Sequence, residues 1–160
     1  KAFMFRPERN ATKIEVAIKF KNSRETGLGM PLPAGRVRLF KADDDGSMIL
    51  LGEDNIDHTP KEKEVRLQVG FAFDITGEHK VLSQTRVSQK VQDREFEIKL
   101  ANAKDEPVTV EIEKKLYGFW EVLDSSAEFV KKDANTIVFK VPMKADESIT
   151  VKFKVRYHLR

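Results

Sequence analysis

Cysteine is absent from the 160 residues, which removes disulfide frameworks, thiolate zinc sites and cysteine nucleophiles together. Histidine occurs three times and tryptophan once, so imidazole chemistry and indole stacking have few places to reside. The longest apolar runs, at residues 48–51 and 69–73, fall far short of the ~20 residues a membrane helix needs. No charge sign dominates: 29 Lys and Arg against 26 Asp and Glu leave a net charge of +3, too balanced for general attraction to nucleic acid or anionic lipid. The chain opens on Lys1 with no basic-then-apolar leader, and so reads as a portion of something longer. Three reaction signatures are missing as well: a Gly-rich phosphate cradle opening a helix, a Gly-x-Ser-x-Gly elbow and a His-Glu-x-x-His zinc pair.

What is present is β-branched. Val, Ile and Thr make up 32 of the 160 positions, spread along the chain, which favours strands and argues against low-complexity disorder. Alternation at Ile14, Val16, Ile18 and Phe20 predicts a strand over 14–21 with one buried face. Five Gly and Pro residues between 22 and 35 exclude helix and central strand there, and Leu28, Met30 and Leu32 are available to pin this loop to the core. Val37 and Leu39, then Asp43-Asp44-Asp45-Gly46, then residues 48–51 spell a hairpin. A further strand is expected over 64–73, breaking near Gly77, followed by an edge strand in the polar stretch 80–92. Apolar residues lie on odd numbers up to Val91 and on even ones from Phe96, so a bulge or break is expected at 92–94.

That break divides the chain into an elaborated β segment, 1–92, and a C-terminal part, 93–160, packed as one unit with it. The second part holds about six short strands with turn signals between them, the pattern of an antiparallel β-sandwich of immunoglobulin-like type. Its last strand, with Ile149, Val151, Phe153, Val155 and Tyr157 on one face, is expected to be central. The fold class is all-β.

The segments GLGMPLPAGRVRLF (27–40), GEDNIDHTPK (52–61), FEIKLANAKDEPVTVEI (96–112) and KKDANTIVFKVPMKADESITVKFKVRY (131–157) resemble a bacterial domain family of unknown function. It is the domain at the C-terminal end of mucoidy-inhibitor-like proteins. The resemblance runs in order from about residue 20 to the end. It implies a β-rich accessory domain of a larger protein, commonly one exported to the cell envelope, in the periplasm or at the cell surface. No catalytic residues come with the family.

Four constellations carry chemistry-bearing side chains, and each has a plainer reading. Asp43, Asp45 and Gly46 copy part of a calcium loop, but the terminal bidentate acid is missing and Asp-Gly between strands is itself a hairpin turn. Asp57, His58 and Thr59 bring acid-base and hydroxyl groups together in sequence, yet neighbours on extended chain point to opposite sides, and a turn before Pro60 suffices. Tyr117, Phe119 and Trp120 concentrate aromatic surface of the kind that stacks on sugars or partner proteins, although Phe119 and Trp120 cannot both face inward. Lys152, Lys154, Arg156 and His158 form a basic row that Glu95, Glu97, Glu111 and Glu113 would neutralise as cross-strand neighbours.

The sequence therefore points to a non-catalytic accessory or interaction domain with a protein or glycan partner, needing no cofactor or metal, binding no nucleic acid and containing no transmembrane segment. A carbohydrate-binding module built on Tyr117, Phe119 and Trp120 is the alternative. A hydrolase built around Asp57 and His58 stands third.

Overall fold

The computed structural model describes residues 1–159; Arg160 lies outside the described residues. Eleven strands follow in chain order: β1 (Ala2–Phe5), β2 (Lys13–Lys21), β3 (Gly35–Ala42), β4 (Met48–Ile56), β5 (Glu64–Ser88), β6 (Val91–Asn102), β7 (Val108–Lys115), β8 (Phe119–Ser125), β9 (Phe129–Asp133), β10 (Thr136–Met143) and β11 (Ser148–His158). A single 3-10 turn, Arg24–Thr26, is the one helical element among the described residues. The all-β expectation is met, as period-two patterning and the β-branched content require.

Nine strands form one mixed sheet in the order β8-β11-β6-β5-β2-β1-β7-β10-β9, and β3 and β4 form a two-stranded sheet of their own. The chain makes two compact units, one of Lys1–Ala2 with Glu15–Phe71, the other of Phe3–Ile14 with residues 72–159. Residues 92–94 lie inside β6, while the units divide in the chain at Phe71 and Ala72.

In the second unit the core lies between two groups of strands of this one sheet. Phe96, Ile98 and Leu100 of β6 and Val151, Phe153 and Val155 of β11 meet Val110 and Ile112 of β7 and Ile137, Phe139 and Val141 of β10. Phe153 joins the groups, its ring 5.2 Å from that of Phe96 and 5.1 Å from that of Phe139. The finer expectation of an immunoglobulin-like sandwich corresponds to something less regular. The ladders are continuous rather than split into two sheets, and β7 pairs with β1 in parallel, Phe5 opposite Ile112. β11 lies between β6 and β8, so the last strand is central as expected.

Two details of the sequence reading are corrected. β5 does not break near Gly77 but runs on to Ser88. Gly77 is there because a Cβ would meet the ring of fully buried Phe5 at 2.8 Å, and its N–H bonds the Thr12 carbonyl. Nor does β6 carry the bulge: it pairs with β11 without a slip from Val91 to Ala101, and the slips lie in β5, around Leu82 and Val87. The apolar phase changes because Val91 shares its face with Asp93, Glu95 and Glu97, whereas Phe96, Ile98 and Leu100 face the core.

In the first unit the Gly- and Pro-rich loop is held by a polar anchor, and of the three apolar residues expected to pin it Leu32 alone is half-buried. Leu28 and Met30 are exposed, and Asn22, fully buried, holds the loop instead. Its side-chain amide donates to the carbonyls of Met30 (2.7 Å) and Pro60 (3.1 Å), and its Oδ1 accepts the Gly29 N–H (3.0 Å). Leu32 and Thr59 then bridge as a pair of main-chain hydrogen bonds, 2.9 Å each.

Candidate functional site

The three aromatic residues singled out by sequence do not act together. β7 and β8 are joined by a turn in which Gly118 has φ +75°, a left-handed conformation that costs glycine little. Tyr117 and Phe119 flank this glycine, 65% and 59% exposed, and line one cleft. Trp120 points the other way. Its ring packs partly on the core, its indole N–H donates to the Ala134 carbonyl at 3.0 Å, and the Lys131 ammonium sits 4.4 Å over its face. Alternation along β8 therefore turns Phe119 to the cleft and Trp120 toward the core, while Tyr117, before the strand, lines the cleft with Phe119.

The cleft has a volume of about 380 Å³ and is completed by Gln92 and Arg94 of β6 and by Tyr157, His158 and Leu159. The Arg94 guanidinium lies 5.4 Å over the Tyr157 ring, and its Nη2 reaches Gln92 Oε1 at 3.4 Å, while its buried Nε has no hydrogen-bond partner. Burial pushes the Tyr157 hydroxyl up to about 12. At the rim, His158 Nε2 lies 3.4 Å from the Glu121 carboxylate.

A second polar group belongs to the same unit. Lys114, 5% exposed, forms an ion pair with Glu8 and sits 4.7 Å over the Phe96 ring. On the Phe96 ring His79 stacks at 5.6 Å, its buried Nε2 without a partner. Burial, and after it the charge of Lys114, hold His79 below the ordinary histidine range, with Glu8 opposing. Sequence reasoning missed this set and Arg94, yet a signal was there. Arg94 shares the phase of Phe96, Ile98 and Leu100, Lys114 that of Val108, Val110 and Ile112, and Tyr157 that of Val151, Phe153 and Val155. Polar residues continuing an inward-facing phase mark the place where a core becomes polar.

The remaining constellations are structural. Between β3 and β4 the Asp43 N–H bonds the Ser47 carbonyl (2.8 Å), Gly46 has φ +83°, and an Asp45 oxygen accepts the Ser47 N–H (2.8 Å). The Ser47 hydroxyl first, and then this N–H, hold the Asp45 carboxyl below its usual range. Among the described residues no group of three or more His, Asp or Glu side chains is placed to hold a metal ion. Asp57, His58 and Thr59 are tied to neighbouring backbone: His58 Nδ1 accepts the Ala34 N–H at 3.3 Å, and the Thr59 hydroxyl donates to the Asp57 carbonyl at 2.9 Å. Pro31, Leu32, Pro33 and Pro60 surround His58 in an open groove, with Thr59 the one hydroxyl.

The basic row is paired across the ladder. Arg156 makes a two-pronged ion pair with Asp93 at 2.8 and 2.9 Å, Lys154 approaches the same carboxylate at 3.8 Å, and Lys152 reaches Glu97 at 3.6 Å. The Arg156 hydrogen bonds, against the opposing effect of burial, hold Asp93 below the usual carboxylate range. Of the four acids expected to neutralise the row, Glu113 is engaged elsewhere, with Arg6 (2.7 Å) and Lys132 (2.8 Å). Among the described residues no helix is long and apolar enough to cross a membrane. No family model, curated protein or solved structure matches the chain, so the resemblance to mucoidy-inhibitor-like domains is carried by its four segments alone.

Proposed function

We propose that the chain is a non-catalytic interaction domain of a larger bacterial cell-envelope protein. The observation that carries this reading is the free end of the β3–β4 hairpin. Phe40, Met48, Ile49, Leu50 and Leu51 are all exposed there, on a sheet whose ladder takes in no third strand among the described residues. Phe40, Met48 and Leu50 share one face of the ladder and Ile49 and Leu51 the other, and apolar side chains left in solvent on both faces favour contact with another molecule or another part of the same protein. The bacterial and envelope context comes from the resemblance. Against catalysis stands the engagement of the His58 imidazole by the Ala34 N–H and of the Thr59 hydroxyl by the Asp57 carbonyl, which ties both groups to main chain and not to each other.

A panel of ester, glycoside, phosphate and peptide substrates, run on the wild type and on His58→Ala, tests the reading. No turnover is expected; turnover present in the first and absent in the second would make the domain an enzyme. A second reading, carbohydrate binding, is favoured by the cleft in which Tyr117 and Phe119 stand exposed beside Gln92 and Arg94. A glycan array separates it from a purely protein-directed interaction.

A further inference from the structure

We propose that the cleft of Tyr117, Phe119, Tyr157, Gln92 and Arg94 binds a sugar carrying a carboxylate, a uronic acid residue, with the ring face on the aromatic side chains and the carboxylate on Arg94. This inference rests on the carbohydrate-binding reading and names its ligand class.

The main chain around the cleft is already spent. Tyr157 and His158 pair on one side with Gln92 and Val91 and on the other with Trp120 and Phe119, and the Leu159 N–H bonds the Lys90 carbonyl. An extended peptide, which relies on free ladder groups, finds none along Tyr157 and His158. On that wall the ligand is read by side chains, as sugars are, through ring faces and amide or guanidinium donors. Tyr117 and Phe119, on either side of the Gly118 turn, both line the cleft, and the apolar lining they supply suits the C–H face of a pyranose.

Charge then selects among sugars. Among the described residues the lining holds a guanidinium and an imidazole and no carboxylate. The nearest acids are otherwise engaged, Glu8 with Lys114, Glu121 with His158 at the rim, and Asp93 with Arg156. Arg94 has given one long hydrogen bond to the neutral Gln92 and, among the described residues, makes no ion pair, which leaves its charge uncompensated in a half-buried setting. A carboxylate is the group whose geometry matches a guanidinium fork, and a partly desolvated cation favours it most.

Methyl glucuronide and methyl glucoside share a ring and differ in carboxylate against hydroxymethyl, so titrating each into the whole chain, followed by NMR chemical shifts, isolates the charge. The glucuronide is expected to bind about tenfold more tightly than the glucoside, the preference shrinking as salt is raised. Arg94→Lys should reduce that preference, Arg94→Gln should abolish it, and Tyr117→Ala, at an exposed position, should weaken both ligands. Equal binding of the two sugars in wild type overturns the uronate inference while leaving carbohydrate binding in place; binding of neither overturns both. Glucuronide binding that Tyr117→Ala leaves intact places the site elsewhere and overturns the assignment. Should the Arg94 variants fail to fold, the salt dependence in wild type decides the question alone.

Discussion

Two buried asparagines organise the loops. Asn22 gathers the loop at 29–30 and the segment at 60 onto one side chain, and Asn102 does the same for its own region: its amide donates to the carbonyls of Glu106 (3.0 Å) and Lys144 (2.8 Å), and its Oδ1 accepts the Lys104 N–H (3.1 Å). Both amides use donors and acceptor at once, which no other small side chain can do. Replacing Asn22 with Ala leaves buried carbonyls and an N–H without partners, and is expected to cost about 2–3 kcal/mol in urea melts. Asn22→Asp should cost more than Asn22→Ala, because a carboxylate would face the Met30 and Pro60 carbonyl oxygens; the reverse order would show that shape, not the amide, holds the loop. Neither asparagine stands out by type, since Asn in a polar stretch reads as a turn residue. The segments 27–40 and 52–61, by contrast, are legible as unusual sequence, and Asn22 is the residue that brings them together. At the hairpin turn the Asp45 oxygen is already bonded to Ser47, so added calcium should leave the melting temperature unchanged. A rise that vanishes in Asp43→Ala would reveal a cation site after all.

Strands are the level at which the sequence is most legible, and the reason is geometric. A strand with one buried face must alternate, so β6, β7, β10 and β11 announce themselves through residues such as Ile98, Val110 and Val151, whereas β2 departs from the single buried face its alternation predicts: Glu15 and Ala17 are fully buried and Val16, Ile18 and Phe20 half-buried. β5 was harder, because its second half exposes Val81, Leu82 and Val87 and absorbs two slips, which blurs any phase. The parallel partnership of β1 with β7 is invisible in a pattern that records faces and not neighbours. The cleft was half legible: Tyr117 and Phe119 were visible as a cluster, whereas Arg94 and Tyr157 reach it from strands whose adjacency depends on the whole sheet. Phe153, 2% exposed and bridging Phe96 and Phe139, tests the core between these strands. Phe153→Ala should cost ~3–5 kcal/mol, and a loss below about 1 would place that face near solvent. Gly77→Ala probes the close approach within β5. The Phe5 ring it would meet is fully buried and has nowhere to move, so a loss of roughly 1–3 kcal/mol is expected. A neutral result would mean that the strand can shift to make room.

At the scale of the whole molecule, its titrating groups set the pH range in which the fold is strong. His79 has its proton affinity lowered by burial and by Lys114, so the unfolded chain binds a proton there more readily than the native one. Its contribution is fully present above about 6.5, the histidine value of the unfolded chain, and drains away as the pH falls below that. Asp93 and Asp133 are held low chiefly by hydrogen bonds, from Arg156 and from the Asn135 N–H; burial works to raise Glu113, and Arg6 and Lys132 outweigh it. These three carboxylates shift the balance in the same direction but only as the pH falls below about 4, where unfolded carboxylates take up protons. On the alkaline side the sign reverses: Tyr157 keeps its proton to about 12, while the unfolded chain gives it up near 10, so stability falls as the pH rises between the two. Acid unfolding should thus come in two stages, an upper one belonging to His79 and a lower one to the carboxylates. His79→Phe keeps an aromatic ring against Phe96 and removes the titrating group. Urea midpoints measured from pH 7.5 downward should show the upper decline in wild type and a plateau in the variant until the carboxylates titrate. An unchanged upper decline in His79→Phe would assign it to another group and show that the buried imidazole, for all its missing partner, does not govern the acid limit of this fold.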